Sequence, residues 1–290
     1  MPAERPSAAT LALTLATMVA FAGNSLLCRA ALGRTGIDPA SFTALRLGSG
    51  ALASWLLVQG VAPPGARFRR PRAPAAGSWV SAACLFIYAA AFSFAYRSLA
   101  VSTGALLLFP ACQATLVAGG LLRGERPGPG AIAGLIVALG GLALLLGPGA
   151  AAPAPGAAAL MLAAGAAWGV YTLRGMGTGN PDRATAGNFL RAVPLALALI
   201  LGARGRLHLD PAGCAYALVS GALASGLGYV LWYRAVAGLR ASAAAAVQLS
   251  VPVLTVLSGL ALLGETLTPR LAGAMAVILV GVALVLFDRR

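Results

Sequence analysis

The 47 residues from Pro127 to Leu173, PGPGAIAGLIVALGGLALLLGPGAAAPAPGAAALMLAAGAAWGVYTL, contain no charged side chain. A helix crosses the hydrocarbon core of a bilayer with about 20 mostly apolar residues. The stretch is too long for one crossing and has the length of two. Gly147-Pro148-Gly149 and Pro153-Ala154-Pro155-Gly156 supply the break, because clustered Gly and Pro punctuate helices.

Composition extends this reading to the whole chain. Apolar residues make up 59% of the 290 and charged residues 10%, against about 25% charged in an average soluble domain. Seven acids and 21 bases cannot cover a water-facing surface of this size. Mean hydropathy is +0.86. The fold class expected is an all-α integral membrane protein. Net charge is +14 and every base is Arg, but the arginines are scattered between apolar runs. They form no groove or stripe, so nucleic acid is not the partner; the lipid bilayer is. Cys28, Cys84, Cys112 and Cys214 show no CxxC spacing, and His208 is the one histidine. No metal site, cofactor or disulfide scaffold follows from these residues, and the cysteines read as small packing groups.

Ten spans are predicted: 10–32, 40–59, 77–99, 101–122, 128–147, 156–175, 184–203, 212–237, 240–263 and 268–287. The first has one preceding Arg, an apolar run too long for an ordinary signal core, and Asn24 inside it, so it is kept as a mature helix. With the N-terminus inside, thirteen arginines lie on inside loops and tails and six at outside ends. The excess predicts N-in and C-in, with the cluster Arg67, Arg69, Arg70 and Arg72 deciding most of it.

The halves 1–150 and 151–290 resemble each other. Tyr96-Arg97 closes span 3 and Tyr233-Arg234 closes span 8. Gly124-Glu125 follows span 4 and Gly264-Glu265 follows span 9, 140 residues on; Ser102 and Ser242 keep the same interval. Arg46 matches Arg191, and Phe21-Ala22-Gly23-Asn24 matches Trp168-Gly169-Val170-Tyr171. Five spans is an odd number, so the halves enter the membrane in opposite senses as two inverted five-helix repeats of one integrated membrane domain. Such symmetry suits alternating access.

These residues resemble the drug/metabolite transporter superfamily in its ten-helix EamA-type branch. The resemblance rests on Phe21 to Asn24 with Arg29, on Arg46 and Arg191, and on Pro110 to Glu125 and Pro252 to Glu265. Phe21 stands where the family usually has Trp, and Arg29 where it has Lys. Among members the chain looks most like the YddG-type amino-acid exporters. The resemblance implies a transporter of the bacterial inner membrane.

Polar groups in lipid are costly unless paired or wetted. Asn24, Ser25, Tyr88, Ser93, Gln113 and Thr115 occupy mid-span positions in the first half; Tyr171, Thr172, Ser225, Tyr229, Gln248 and Thr255 do so in the second. Tyr88 and Phe92 are four apart on one face, Ser225 and Tyr229 repeat that spacing, and Trp168 lies one turn from Tyr171. The candidate substrate-binding set is Asn24, Tyr88, Phe92, Gln113, Trp168, Tyr171, Ser225, Tyr229 and Gln248. Its amides and hydroxyls would meet ammonium and carboxylate, and its aromatic faces apolar groups or ammonium. The alternative is that each residue only bonds a neighbouring helix.

Arg46 and Arg191 sit about 10 Å inside their spans, at about 1.5 Å per residue. A long Arg can snorkel that far, so both read first as structural, pairing helix ends or carbonyls, and second as contacts for a substrate carboxylate. Pro110 and Pro252 lie mid-span, where Pro kinks a helix, and read as hinges for gating or as static bends. Glu125 and Glu265 complement positive helix ends. Gly130-xxx-Gly134 is a close-packing motif, within the bundle or in a dimer; the chain is a monomer or homodimer. No acid lies mid-span, which argues against proton-coupled export of cationic drugs. An intramembrane Ser protease would need a His beside its Ser, and His208 lies in an Arg-flanked loop, so no enzyme is expected. The function expected is export of small metabolites, amino acids foremost. A drug or nucleotide-sugar carrier of the same superfamily is the second reading, and a membrane scaffold a lesser one.

Overall fold

The computed structural model describes residues 8–61, 76–122, 124, 128–147, 152–175, 180–237 and 250–286. Regular structure among them is helical throughout. The helices are α1 (Ala8–Arg34), α2 (Pro39–Val61), α3 (Trp79–Tyr96), α4 (Val101–Leu122), α5 (Pro129–Leu146), α6 (Pro155–Gly175) and α7 (Pro181–Ala203). A continuous rod follows, α8, made of Pro211–Val219, a π-helical segment Ser220–Leu227, and Gly228–Ala237. Then come α9 (Ser250–Leu263) and α10 (Pro269–Leu286). Eight of these, α1 to α8, are long and apolar enough to cross a membrane, while α9 and α10 are shorter apolar helices. The part of the expected span 240–263 before Ser250 lies outside the described residues, as do Gln248 and Glu125.

Four helix starts share one chemistry. Asp38, Asn180, Asp210 and Thr268 each accept a hydrogen bond from a backbone N–H two or three residues on. Each is followed by Pro, which needs no N–H at the first helical position. Gly124 and Gly264 take positive φ, 83° and 66°. That conformation ends α4 and α9 at almost no steric cost to glycine.

At one end of the bundle arginines satisfy the last carbonyls of neighbouring helices. Arg29 donates to Tyr96 O at 3.0 Å, Arg34 to Leu263 O at 2.7 Å, and Arg270 to Leu144 O at 2.8 Å. Each cation sits at the negative end of a helix dipole. Asp38 joins the same end: its Oδ2 accepts from His208 N at 2.8 Å.

The most extensive packing pairs are α5 with α10, α6 with α3 and with α4, α2 with α7 and with α8, and α1 with α8 and with α9. Small residues permit the closest crossings. A Cβ on Gly165 would lie 2.3 Å from Leu108 O, and one on Gly169 2.7 Å from Thr115 Cβ, so α6 lies against α4 through a glycine pair four residues apart. Gly134, of the expected motif in α5, meets Gly281 of α10 within the bundle.

Candidate functional site

The residues at the helix crossing come from five helices. Phe21, Asn24 and Ser25 of α1, Tyr88, Phe92 and Tyr96 of α3, Ala105, Leu108 and Phe109 of α4, Trp168 of α6, and Ala224 and Tyr229 of α8 surround one void. Its volume is about 30 Å³, room for a water and not for a metabolite. Aromatic rings fill most of the chamber.

Trp168 is the hub. Its ring lies 5.0 Å from Tyr88, 4.9 Å from Tyr229 and 6.0 Å from Phe21, centroid to centroid, the last edge-on at 84°. Tyr171 stacks behind it at 5.5 Å. These offset and edge arrangements suit ring quadrupoles. The polar half is a chain of hydrogen bonds. Ser220 donates to Asn24 Oδ1 at 2.7 Å, and Asn24 Nδ2 donates to the Tyr88 hydroxyl at 3.3 Å. Arg46 donates through Nη2 to the same hydroxyl at 3.2 Å and through Nε to Ser225 Oγ at 3.1 Å. Its guanidinium carbon also stands 5.1 Å from the Tyr88 ring centroid and 5.2 Å from that of Phe92, within cation–π range. Among the described residues Arg46 Nη1, buried at this centre, has no hydrogen-bond partner, and the buried Tyr229 hydroxyl lies against that of Tyr88.

The π segment explains how Ser225 reaches Arg46. The Gly228 N–H reaches back five residues to Leu223 O, the register of a π turn, a device found mostly at functional sites. The segment lies against α2 so closely that a Cβ on Gly221 would come 2.1 Å from Arg46 O. No side chain larger than hydrogen fits there without a shift.

The sequence-predicted set divides. Asn24, Tyr88, Phe92, Trp168 and Tyr229 line the void, and Ser225 adjoins it through Arg46. Tyr171 lies one layer out, its hydroxyl accepting from Asn188 Nδ2 at 3.5 Å. Gln113 is buried in α4 but is not among the lining residues. Pro110 is buried beside the lining residue Phe109, and Pro252 is buried in the first turn of the described part of α9. Ser93, Thr115 and Thr172 bond carbonyls four residues back on their own helices.

The two span arginines part company. Arg191 pairs carbonyls, donating to Ala76 O at 2.7 Å and Gly187 O at 2.9 Å. Arg46 reaches no helix end: it is 1% exposed and points into the bundle. Phe21, Tyr96 and Ser220 were not in the predicted set. Phe21 shares a face with Asn24 and Ser25, and Tyr96 continues the row Tyr88, Phe92 by another four residues. Helical spacing carried across those faces would have found both.

Helices long and apolar enough to cross a membrane surround a buried polar and aromatic chamber. Residues 155–287 match the model of the EamA-like transporter family. An uncharacterized protein of Pseudomonas aeruginosa is 58% identical over 284 residues, covering 98% of this chain and 96% of the relative. A protein of known crystal structure, 22% identical, shares the fold with a TM-score of 0.68 over 99% of this chain and 100% of its own.

Proposed function

We propose that this protein exports small metabolites, amino acids foremost, across the bacterial inner membrane by alternating access through the central chamber. The observation that carries the reading is the chamber itself: convergent hydroxyl, amide and guanidinium groups beside aromatic faces, buried where helices from both halves of the chain cross. Such a site offers a polar end and an apolar wall to one small solute. The match of residues 155–287 to a transporter family supports it, and the Pseudomonas relative suits a bacterial membrane.

The architecture proposed is ten spans in two inverted repeats, 1–150 and 151–290, with both termini inside. The packing supports it, because a shift of five helices exchanges the partners: α3 with α6 becomes α8 with α1, and α6 with α4 becomes α1 with α9. The matched residues Phe21 and Trp168 meet edge-on in the chamber, and the matched Gly124 and Gly264 share one backbone conformation. A cysteine introduced at Ala154 should be labelled from outside, and one at Gly60 only after permeabilisation. The reverse pattern would overturn the orientation.

Proteoliposomes loaded with a panel of radiolabelled amino acids test the function. Efflux of some members, lost on Trp168→Ala, is the expected result. No flux of any member, with the protein folded, would overturn amino-acid export and leave the other carriers of the family as the reading to pursue.

A further inference from the structure

Among the described residues Arg46 is a buried cation without an anion. An uncompensated charge inside a membrane protein is costly, and partners normally offset it. Its electrostatic neighbours are Tyr88, Tyr229 and Cys28, with no carboxylate among them. The four acids with described side chains are spent elsewhere: Asp38 and Asp210 cap α2 and α8, Glu265 caps α4, and Asp182 lies in the first turn of α7.

The spare hydrogen-bonding capacity of the centre has one sense. A guanidinium carries five N–H donors and no acceptor. Nε and Nη2 are engaged, and Nη1 is not. The Tyr88 oxygen already accepts from Asn24 and from Arg46, so its own proton remains to be donated. The buried Tyr229 hydroxyl lies against that of Tyr88, so one of the two phenol protons joins the pair and the other remains to be donated. The centre thus holds one positive charge and several unspent donors, next to rings that would cover an apolar body.

We infer that Arg46, with the hydroxyls of Tyr88 and Tyr229, is the carboxylate-binding end of the chamber. The cargo is an amino acid or other organic acid whose carboxylate supplies the missing anion to Arg46. The inference rests on the carrier reading above and narrows it. The void is too small for such a group, so the carboxylate enters as the helices part and the rings separate. An inorganic anion such as chloride shares the chemistry of the donors but leaves the aromatic wall without an occupant.

The test uses the full chain in detergent, with binding followed by thermal shift. The probes are 3-phenylpropionate and L-phenylalanine, their amides 3-phenylpropionamide and L-phenylalaninamide, and potassium chloride. Each acid should bind at least about tenfold more tightly than its amide, the range of a hydrogen bond to a charged group. Arg46→Gln should bring acid and amide to near parity, and Tyr229→Phe should narrow the ratio while keeping it. The comparison in the unaltered protein holds even if Arg46→Gln does not fold. Equal binding of acid and amide, or no binding of either acid, would overturn the assignment. So would a shift produced by chloride and by no carboxylate. Flux of amino acids with acid–amide parity would sink the Arg46 assignment alone, whereas a panel with no flux would sink amino-acid export.

Discussion

Glu265 stands in the connection before α10, yet its carboxylate caps α4. One oxygen accepts from the backbone N–H of Val101, the other from the Ser102 N–H at 3.2 Å and hydroxyl at 2.7 Å. An acid of the second half thus closes the first turn of a helix from the first half, and that helix carries Ala105, Leu108 and Phe109 into the chamber wall. Opening the chamber at this end requires α4 and the α9–α10 connection to separate or to move as one body.

Glu265→Ala should lower stability by about 1–2 kcal/mol, the usual worth of a lost helix cap. Glu265→Gln keeps acceptor oxygen and should fall between. Thermal unfolding in detergent measures both. An unchanged midpoint for Glu265→Ala would mean that the cap contributes nothing to the closed bundle.

Gly221→Ala tests the crossing of α2 and the π segment. The added methyl would lie 2.0 Å from Ser49 Oγ and 2.1 Å from Arg46 O, so helix α8 must shift or the backbone must strain. Overpacking of this kind costs about 1–3 kcal/mol. The Ser225–Arg46 hydrogen bond should be lost with it, so flux should fall more than stability alone explains. Gly202→Ala, in open space at the end of α7, is the control and should do neither.

Much of the chamber was legible in the sequence, and its misreadings have physical causes. Tyr88, Phe92, Trp168 and Tyr229 could be found because a helix repeats every 3.6 residues, and one face suffices to collect them. Of the two readings of Arg46, snorkelling to a helix end fails because depth along a helix does not measure distance to water. The start of α2 is covered, with Asp38 buried and bonded to the 204–210 connection, so the side chain turns sideways toward Tyr88. The π segment had no sequence signal of its own; it accompanies the close approach of Gly221 to α2, a tertiary event. Gln113 shows the limit of a polarity argument, since Leu108 and Phe109, not the amide, form the α4 wall.

Acid should weaken the end of the bundle held by Asp38. Burial by itself pushes this carboxyl up, but hydrogen bonds from Ser41, from the His208 backbone and from Ala40 outweigh it and hold the group below its ordinary value of 3.8. A carboxylate whose folded value is depressed contributes stability above the unfolded value and loses it as the pH falls through the folded one. The thermal midpoint should therefore decline as the pH drops below about 4. Asp38→Asn should start lower at neutral pH and show a shallower decline. An identical acid limb in the variant would remove Asp38 as a contributor.

The last prediction concerns driving force. Groups that carry protons across membranes near neutral pH are histidines or carboxylates set in the pathway. Among the described residues the chamber is lined by neither, and His208 belongs to the connection before α8. The charge present is that of Arg46, and a zwitterionic amino acid adds no net charge of its own, so the loaded and the empty site carry the same charge. Membrane potential should then do little net work on the passage of the amino acid. Flux of L-phenylalanine in proteoliposomes should run down its own gradient, with no imposed proton gradient and with little dependence on a potassium-diffusion potential. Accumulation of several-fold against its gradient when protons run the other way would refute this. A search for the proton-carrying group would then begin with Glu265, whose carboxylate bonds the start of α4.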